Sequence, residues 1–331
     1  LSKVDSTDLV IDNLLDNSSA SVFLNHTKLK QHPVYNLTLG AMRSATVIDV
    51  DNASSKQTPL IELFFTGGLI QQSSHPVVVV RLAKNSKVNI LETHSSYNGL
   101  SAPIIFIELG EGSFCNHVKC QVADLDSIQL GLTLINQEKD SDYRNFTLSS
   151  GGYISRSELH LNLNGEDATC HLSAIYLGCK EQHMDITSRL YHNVANCKSD
   201  QIIRGVLDDR AKGIFQGKIR VAPEAQKTDG QQMTRALLLS KETEADTKPE
   251  LEIFADDVIC THGATVGELD ENQLFYLVSR GIPLIKARAM LIEAFLIDTL
   301  SQIRIPELKK QVEYYMEDWL TKSTKFSSST V

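Results

Sequence analysis

Some two hundred residues of this chain alternate between short extended runs and polar turns, which excludes most architectures before any residue is singled out. Between about residues 22 and 221 the runs are Ile61–Phe65, Val77–Leu82, Ile104–Leu109, Ile128–Ile135 and Ser157–Leu163. Thr169–Leu177, His183–Tyr191, Gln201–Leu207 and Gly213–Val221 follow. Leu159-x-Leu161-x-Leu163 and Ile219-x-Val221 alternate with period two, as strands with one buried face do. Gly67-Gly68, Asn98-Gly99, Gly110-Glu111-Gly112, Gly151-Gly152 and Asn164-Gly165 punctuate the runs, because these residues accept turn geometry. Helical periodicity is almost absent from the stretch. Such spacing suits a sandwich, a barrel or a solenoid. The run is too long for one small sandwich, and no strict sequence repeat selects a solenoid.

At Lys248 to Gly281 the β-type pattern hands over to helix. Leu251, Ile253 and Phe254 begin a run that ends in Asp256 and Asp257, and Val258, Ile259 and Cys260 lead into Thr261-His262-Gly263-Ala264-Thr265. Gly267 is expected to break this run. Asp270 is placed to cap a helix, with Gln273 returning the bond and Leu269 and Leu274 forming a hydrophobic staple. Gly281 suits the position after that helix, and Pro283 the start of a second. Met290, Leu291, Ala294, Phe295 and Ile297 are expected to form the apolar face of the second helix. A third starts near Pro306, with Leu308, Val312, Tyr315 and Trp319 on one stripe. The expected division is therefore a β core over 21–268, helices over 269–320 and a disordered Ser/Thr-rich tail over 321–331. Residues 1–20, polar and acidic with helical character near Leu9 to Leu15, are expected to be the stub of a helical region.

A net charge of −9 argues against nucleic acid as a partner, since a basic face is wanted there. No run of eighteen apolar residues suggests a membrane span. The first residues lack a basic start followed by an apolar segment, so a cytoplasmic setting is expected. The six cysteines, Cys115, Cys120, Cys170, Cys179, Cys197 and Cys260, are too sparse for a disulfide scaffold. The sequons at Asn17, Asn25, Asn36, Asn52 and Asn145 then read as chance.

Most candidate motifs fail on spacing. Gly213 and Gly217 have three residues between them where a P-loop has four, and Ile219 stands where Ser or Thr would bind magnesium. Gly110-Glu111-Gly112 lacks the third glycine. Cys115-x-His117-x-x-Cys120, Cys170-His171 and Cys179 with His183 are incomplete as ligand sets, and read as core or solvated positions. Asp208-Asp209 and Asp256-Asp257 would point to opposite strand faces, so neither pair makes one glycosidase-type site. His262 is the remaining candidate. It either satisfies turn hydrogen bonds at a strand end or offers a neutral imidazole to a metal or proton at an interface. Cys260 falls on the same strand side, although a thiol beside Val258 and Ile259 also reads as a small buried hydrophobe.

The last third of the chain resembles the SufB/SufD family of iron–sulfur cluster assembly scaffolds. The resemblance is carried by Ala225-Gln226-Lys227-Thr228-Asp229 with Gln231 or Gln232, and by Leu237-Leu238-Leu239-Ser240. It continues through Ala245-Asp246-Thr247-Lys248-Pro249-Glu250-Leu251-Glu252-Ile253 and Ala255-Asp256-Asp257-Val258. Cys260-Thr261-His262-Gly263-Ala264-Thr265-Val266-Gly267, Leu269-Asp270 and the helix to Ser279-Arg280-Gly281 complete it. Gly263 stands where a SufB is expected to carry Glu, which favours the SufD type. The resemblance implies a mostly β fold: a right-handed parallel β-helix core with a C-terminal α-helical domain, and helices at both termini capping its ends. It implies a non-catalytic scaffold that pairs with a SufB-like subunit and holds a SufC-like ABC ATPase through residues 270–320. His262, Gly263, Thr265, Leu274, Phe275 and Phe295 are the implied interface residues, and a homodimer is allowed when partners are absent. No cofactor is expected to stay tightly bound; iron or a nascent cluster would meet His262, and more weakly Cys260, at the SufB boundary. Two rival readings stay open at this stage, a secreted-type carbohydrate-active β-helix enzyme and a SufB-like self-sufficient cluster scaffold. Lys227-Thr228-Asp229 and Asp246-Thr247-Lys248-Pro249 read as polar connections.

Overall fold

The computed structural model describes residues 9–13, 29–43, 45–55, 57–66, 73–95 and 99–326. In chain order the elements are β1 (Leu9–Asn13), α1 (Pro33–Ala41), β2 (Ala45–Val50), β3 (Leu60–Thr66), β4 (Ser73–Ser74), β5 (Val77–Leu82) and β6 (Lys87–Ser95). Next come β7 (Leu100–Ser101), β8 (Ile104–Leu109), β9 (Phe114–Gln121), β10 (Ile128–Gln137), β11 (Asp142–Ser149), β12 (Ile154–Leu163) and β13 (Thr169–Gly178). The rest are β14 (His183–His192), β15 (Lys198–Leu207), β16 (Lys212–Val221), β17 (Asp229–Leu238), β18 (Glu244–Ile253), β19 (Ile259–Glu268), α2 (Glu271–Ser279), α3 (Leu284–Leu300) and α4 (Pro306–Phe326).

From β8 onward each long strand pairs in parallel with the strand two places further along the chain. One sheet runs β1-β2-β5-β8-β10-β12-β14-β16-β18, and the other β3-β6-β9-β11-β13-β15-β17-β19. Successive strands thus alternate between two facing sheets, giving a β-solenoid of about seven turns with three C-terminal helices. A stacked ladder of tight turns keeps the coils in register. Asn85, Gly112, Asp140, Asp167, Asn196 and Lys227 all have positive φ, which Asn, Asp and Gly accept most readily. The N–H of Asn85 donates to Glu111 O, Gly112 to Lys139 O, Asp140 to Glu166 O, and Asn196 to Gln226 O.

Period-two alternation sends one side of each strand inward. Leu161, Leu163, Leu190, Ile219 and Val221 meet Cys115, Cys170 and Leu172 in the main inner core. The inner wall of β6 and β9 is different. Glu92 lies between the His94 and His117 rings with Lys119 Nζ at 3.2 Å, and His117 Nδ1 is 2.9 Å from Tyr143 Oη. Polar residues facing inward break the apolar alternation, which is why β6, β9 and β11 carried no clear strand pattern in the sequence.

Several expectations are corrected. Residues 33–41 form α1 within the supposedly helix-free stretch: His32 Nδ1 accepts from Tyr35 N–H, Pro33 occupies the first helical position, and Val34 and Tyr35 pack on the outer face of the first sheet. The expected helical stub is strand β1 over Leu9–Asn13, paired antiparallel with β2; the rest of residues 1–20 lies outside the described residues. Gly267 does not end the extended run, because β19 continues to Glu268. Asp246-Thr247-Lys248-Pro249 is part of β18, the last strand of its sheet, where proline is tolerated. Helix continues past residue 320 to Phe326, and 327–331 are not among the described residues.

The largest correction concerns the helices. They do not cap the solenoid end. Ile292, Leu296 and Leu300 of α3, with Leu308, Val312, Met316 and Trp319 of α4, pack along the outer face of the second sheet. There they meet Cys120, Phe146, Leu148, Ile175, Leu177, Val206 and Leu237. The α4 stripe behaves as read from sequence, whereas α3 buries a different face from the one expected: Met290 and Ile297 are exposed. α3 is apolar nearly all round, so periodicity cannot choose its buried side.

Candidate functional site

β18 and β19 end their sheets, so the last coil has two strand edges with no neighbour among the described residues. Register fixes what the coil presents. Cys260 lies beside Gly230, His262 beside Gln232 and Ala264 beside Thr234. Gly230, Gln232 and Thr234 are the buried, inward residues of β17, alternating with the exposed Gln231, Met233 and Arg235. Cys260, His262 and Ala264 therefore face the solenoid interior at its open mouth. On the opposing strand, Thr247, Pro249 and Leu251 lie beside the inward Phe215, Gly217 and Ile219.

His262 is exposed, and among the described residues its ring has no side-chain partner. Core packing does not hold it. Cys260 reaches back to the inner core and is half-buried; burial pushes its thiol up, against a backbone N–H from Gly230, which favours the thiol over the thiolate at neutral pH. One rung below, both amide atoms of Gln232 and the hydroxyl of Thr234 are buried without a partner. Gly217 makes room for that amide, since a Cβ there would stand 2.1 Å from Gln232 Nε2. Gln232 and Thr234 were not singled out as site residues by sequence reasoning. Their one signal was sharing strand parity with His262 once register was known. Gly263 faces the other way, beneath the flexible tip of Met233, and Thr265 shares that outer side.

Among the helices, α2 has no buried residue and is capped as expected, with Asp270 Oδ1 accepting from Asn272 and Gln273 N–H. Gly281, at φ +86°, ends it in a conformation that favours glycine. Phe275 is 74% exposed, and Tyr276 of α2 and Leu284, Ile285, Met290 and Ile297 of α3 are exposed as well. Leu274 is half-buried. Phe295 sits in the seam with the second sheet, Arg204 lying over its ring at 5.7 Å.

A family model for the SufBD core domain of the SUF system of FeS cluster assembly matches residues 64–295. The chain belongs to the SufBD family. It is 32% identical over 282 residues to the iron–sulfur cluster assembly protein SufD of Escherichia coli, covering 83% of this chain and 67% of that protein. A SufBD family protein of Synechocystis is 31% identical over 288 residues, 83% of this chain and 63% of its own length. SufD of Bacillus subtilis is 34% identical over 161 residues, 49% of this chain and 37% of its own. The chain thus spans about two thirds or less of these relatives.

The match begins within β3 and ends within α3, so it covers most of the solenoid and its open mouth. The expected cysteine state also holds: all six are free, five of them buried. Burial raises the Cys115 thiol, with the Asp142 charge adding to the rise, and pushes Cys120 up to about 12, with Glu92 contributing. Neither resembles a reactive or ligating thiolate. The Asn52 and Asn145 sequons are buried, so the folded chain does not present them. No helix among the described residues is long and apolar enough to cross a membrane.

Proposed function

We propose that this chain is a SufD-type, non-catalytic scaffold subunit that joins a SufB-like solenoid end to end through β18 and β19. The observation that carries this reading is the open last coil. Two parallel strand edges and an inward face of Thr247, Pro249, Leu251, Cys260, His262 and Ala264 are left without a following turn. Unpaired edges are aggregation hazards unless something covers them, and strand addition satisfies their N–H and C=O groups. A second solenoid stacked there would enclose His262 beside whatever its partner presents. At that boundary the imidazole supplies a ligand or a proton carrier to a nascent cluster; the cluster is cargo.

The exposed apolar side chains of α2 and the start of α3, Phe275, Tyr276, Leu284 and Ile285, are the proposed seat of a SufC-like ATPase, whose ATP hydrolysis moves the scaffold. The free thiols fit a reducing, cytoplasmic setting. The carbohydrate-enzyme reading has lost its support, since the family is now established on other grounds.

Two variants test the assignment. Ala264→Lys puts a charge on the inward face of the open coil, and should abolish co-purification with a SufB-like partner while ATPase binding persists. Phe275→Asp combined with Ile285→Asp should do the reverse. If Ala264→Lys pairs normally with the partner, the end-to-end arrangement is wrong.

A further inference from the structure

We propose that His32, Glu158 and His160 form a binding site for a first-row divalent transition-metal ion such as Zn2+ or Fe2+, away from the open coil. Glu158 and His160 are two apart on β12, so strand geometry places both on the outer face of the first sheet. β12 lies three strands in from the edge strand β18. His32 comes from a different segment, the residue that caps α1. Packing of Val34 and Tyr35 on the sheet, and the 2.7 Å bond from Thr38 Oγ1 to Ala102 O, hold α1 in place. His160 Nε2 is 2.7 Å from Glu158 Oε1, and His32 Nε2 is 3.1 Å from Oε2. The donor atoms of all three residues lie within 4.8 Å of one another.

Two imidazole nitrogens and one carboxylate suit a zinc or ferrous ion that keeps positions open for water or another ligand. The space for them exists: a cavity of about 480 Å³ is bordered by His32 and His160 together with Asn136, Asn162 and Tyr191. The surroundings are also those of a supported ligand. Arg156 donates to Glu158 Oε2 at 2.8 and 3.1 Å, fixing the carboxylate. Its remaining charge is taken up by Asp185, and Arg189 stands 3.8 Å from Oε1.

Without metal, the two Nε2 atoms make their hydrogen bonds to the carboxylate; an ion between them would replace both bonds. For His32 this requires the ring proton to sit on Nδ1, which now accepts from Tyr35 N–H at 3.3 Å. His32 is therefore the weaker ligand and His160 the anchor.

Co2+, whose visible absorption reports its ligands, is titrated into the full chain, with Zn2+ as competitor. Saturable one-to-one binding is expected, weakened at least tenfold in both His160→Ala and His32→Ala, as loss of a ligand should weaken it by no less than loss of an outer-shell partner. Zn2+ should also raise the melting temperature of the unaltered chain but not of His32→Ala, whose change at a helix start leaves the solenoid intact. Unchanged Co2+ affinity in His32→Ala and His160→Ala would overturn the proposal, as would a signal that disappears in His262→Ala.

Discussion

At the level of single residues, the solenoid separates groups that support the fold from groups that the fold merely presents. His262 belongs to the second kind: it is exposed and without a ring partner among the described residues. His262→Ala should change unfolding free energy by about 0.5 kcal/mol or less, measured by urea denaturation, while cluster formation by the reconstituted complex drops sharply. A large stability loss, or a normal cluster yield, would remove His262 from the site. Glu108 is of neither kind: it is a half-buried carboxyl whose ionised form the fold carries at a cost. Burial pushes its carboxyl up to about 7, the bond from Asn136 pulling down and the Glu138 charge adding to the rise. Between the unfolded value near 4.5 and about 7 the folded state holds a proton that the unfolded state does not. The stability tied to this group is therefore complete below pH 4.5 and lost as pH rises through 7. Glu108→Gln should match the unaltered chain at pH 4.5 and be more stable by about 2 kcal/mol at pH 8. Equal stabilities at pH 8 would show that the carboxyl titrates normally.

At the level of elements, α3 shows how neighbouring positions can differ in kind. Leu296 is fully buried against the second sheet, whereas the adjacent Ile297 is 59% exposed. Leu296→Ala should cost about 2–5 kcal/mol through lost contacts and a residual cavity; Ile297→Ala should cost about 0.5 kcal/mol or less. Thermal unfolding of the two variants side by side decides this, and equal costs would mean that α3 sits on the sheet by another face. The sequence made the α4 stripe legible because polar residues flank Leu308, Val312 and Trp319. It left α3 undecided because Leu284, Ile285, Met290, Leu291, Ile292, Leu296 and Ile297 surround the helix with apolar side chains.

At the level of the whole molecule, the C-terminal helices are a side wall. Truncation after Leu269 would uncover Phe146, Leu148, Ile175, Leu177, Val206 and Leu237 along the second sheet. A patch of that extent is unusual on a soluble monomer. The truncated chain should therefore aggregate or form large oligomers, as read by light scattering after size exclusion. A monodisperse β-rich product would show that the helices are dispensable to the solenoid. The open coil predicts a different, milder association, through strand edges rather than an apolar sheet face.

From the sequence alone came the class of the fold, the point near residue 268 where strand gives way to helix, the α2 cap at Asp270, the α4 stripe and His262 as the residue to watch. Each is a local pattern: period two, period 3.6, a capping oxygen, a run of matched residues. Only the tertiary structure decided that the end of the solenoid is open, that Gln232 and Thr234 stand unpartnered beneath His262, and that His32 meets Glu158 and His160. Those facts depend on strand register and on where helices dock. Residues from distant segments meet there because two faces pack together, and no periodicity within either segment records which face, or which partner, is chosen.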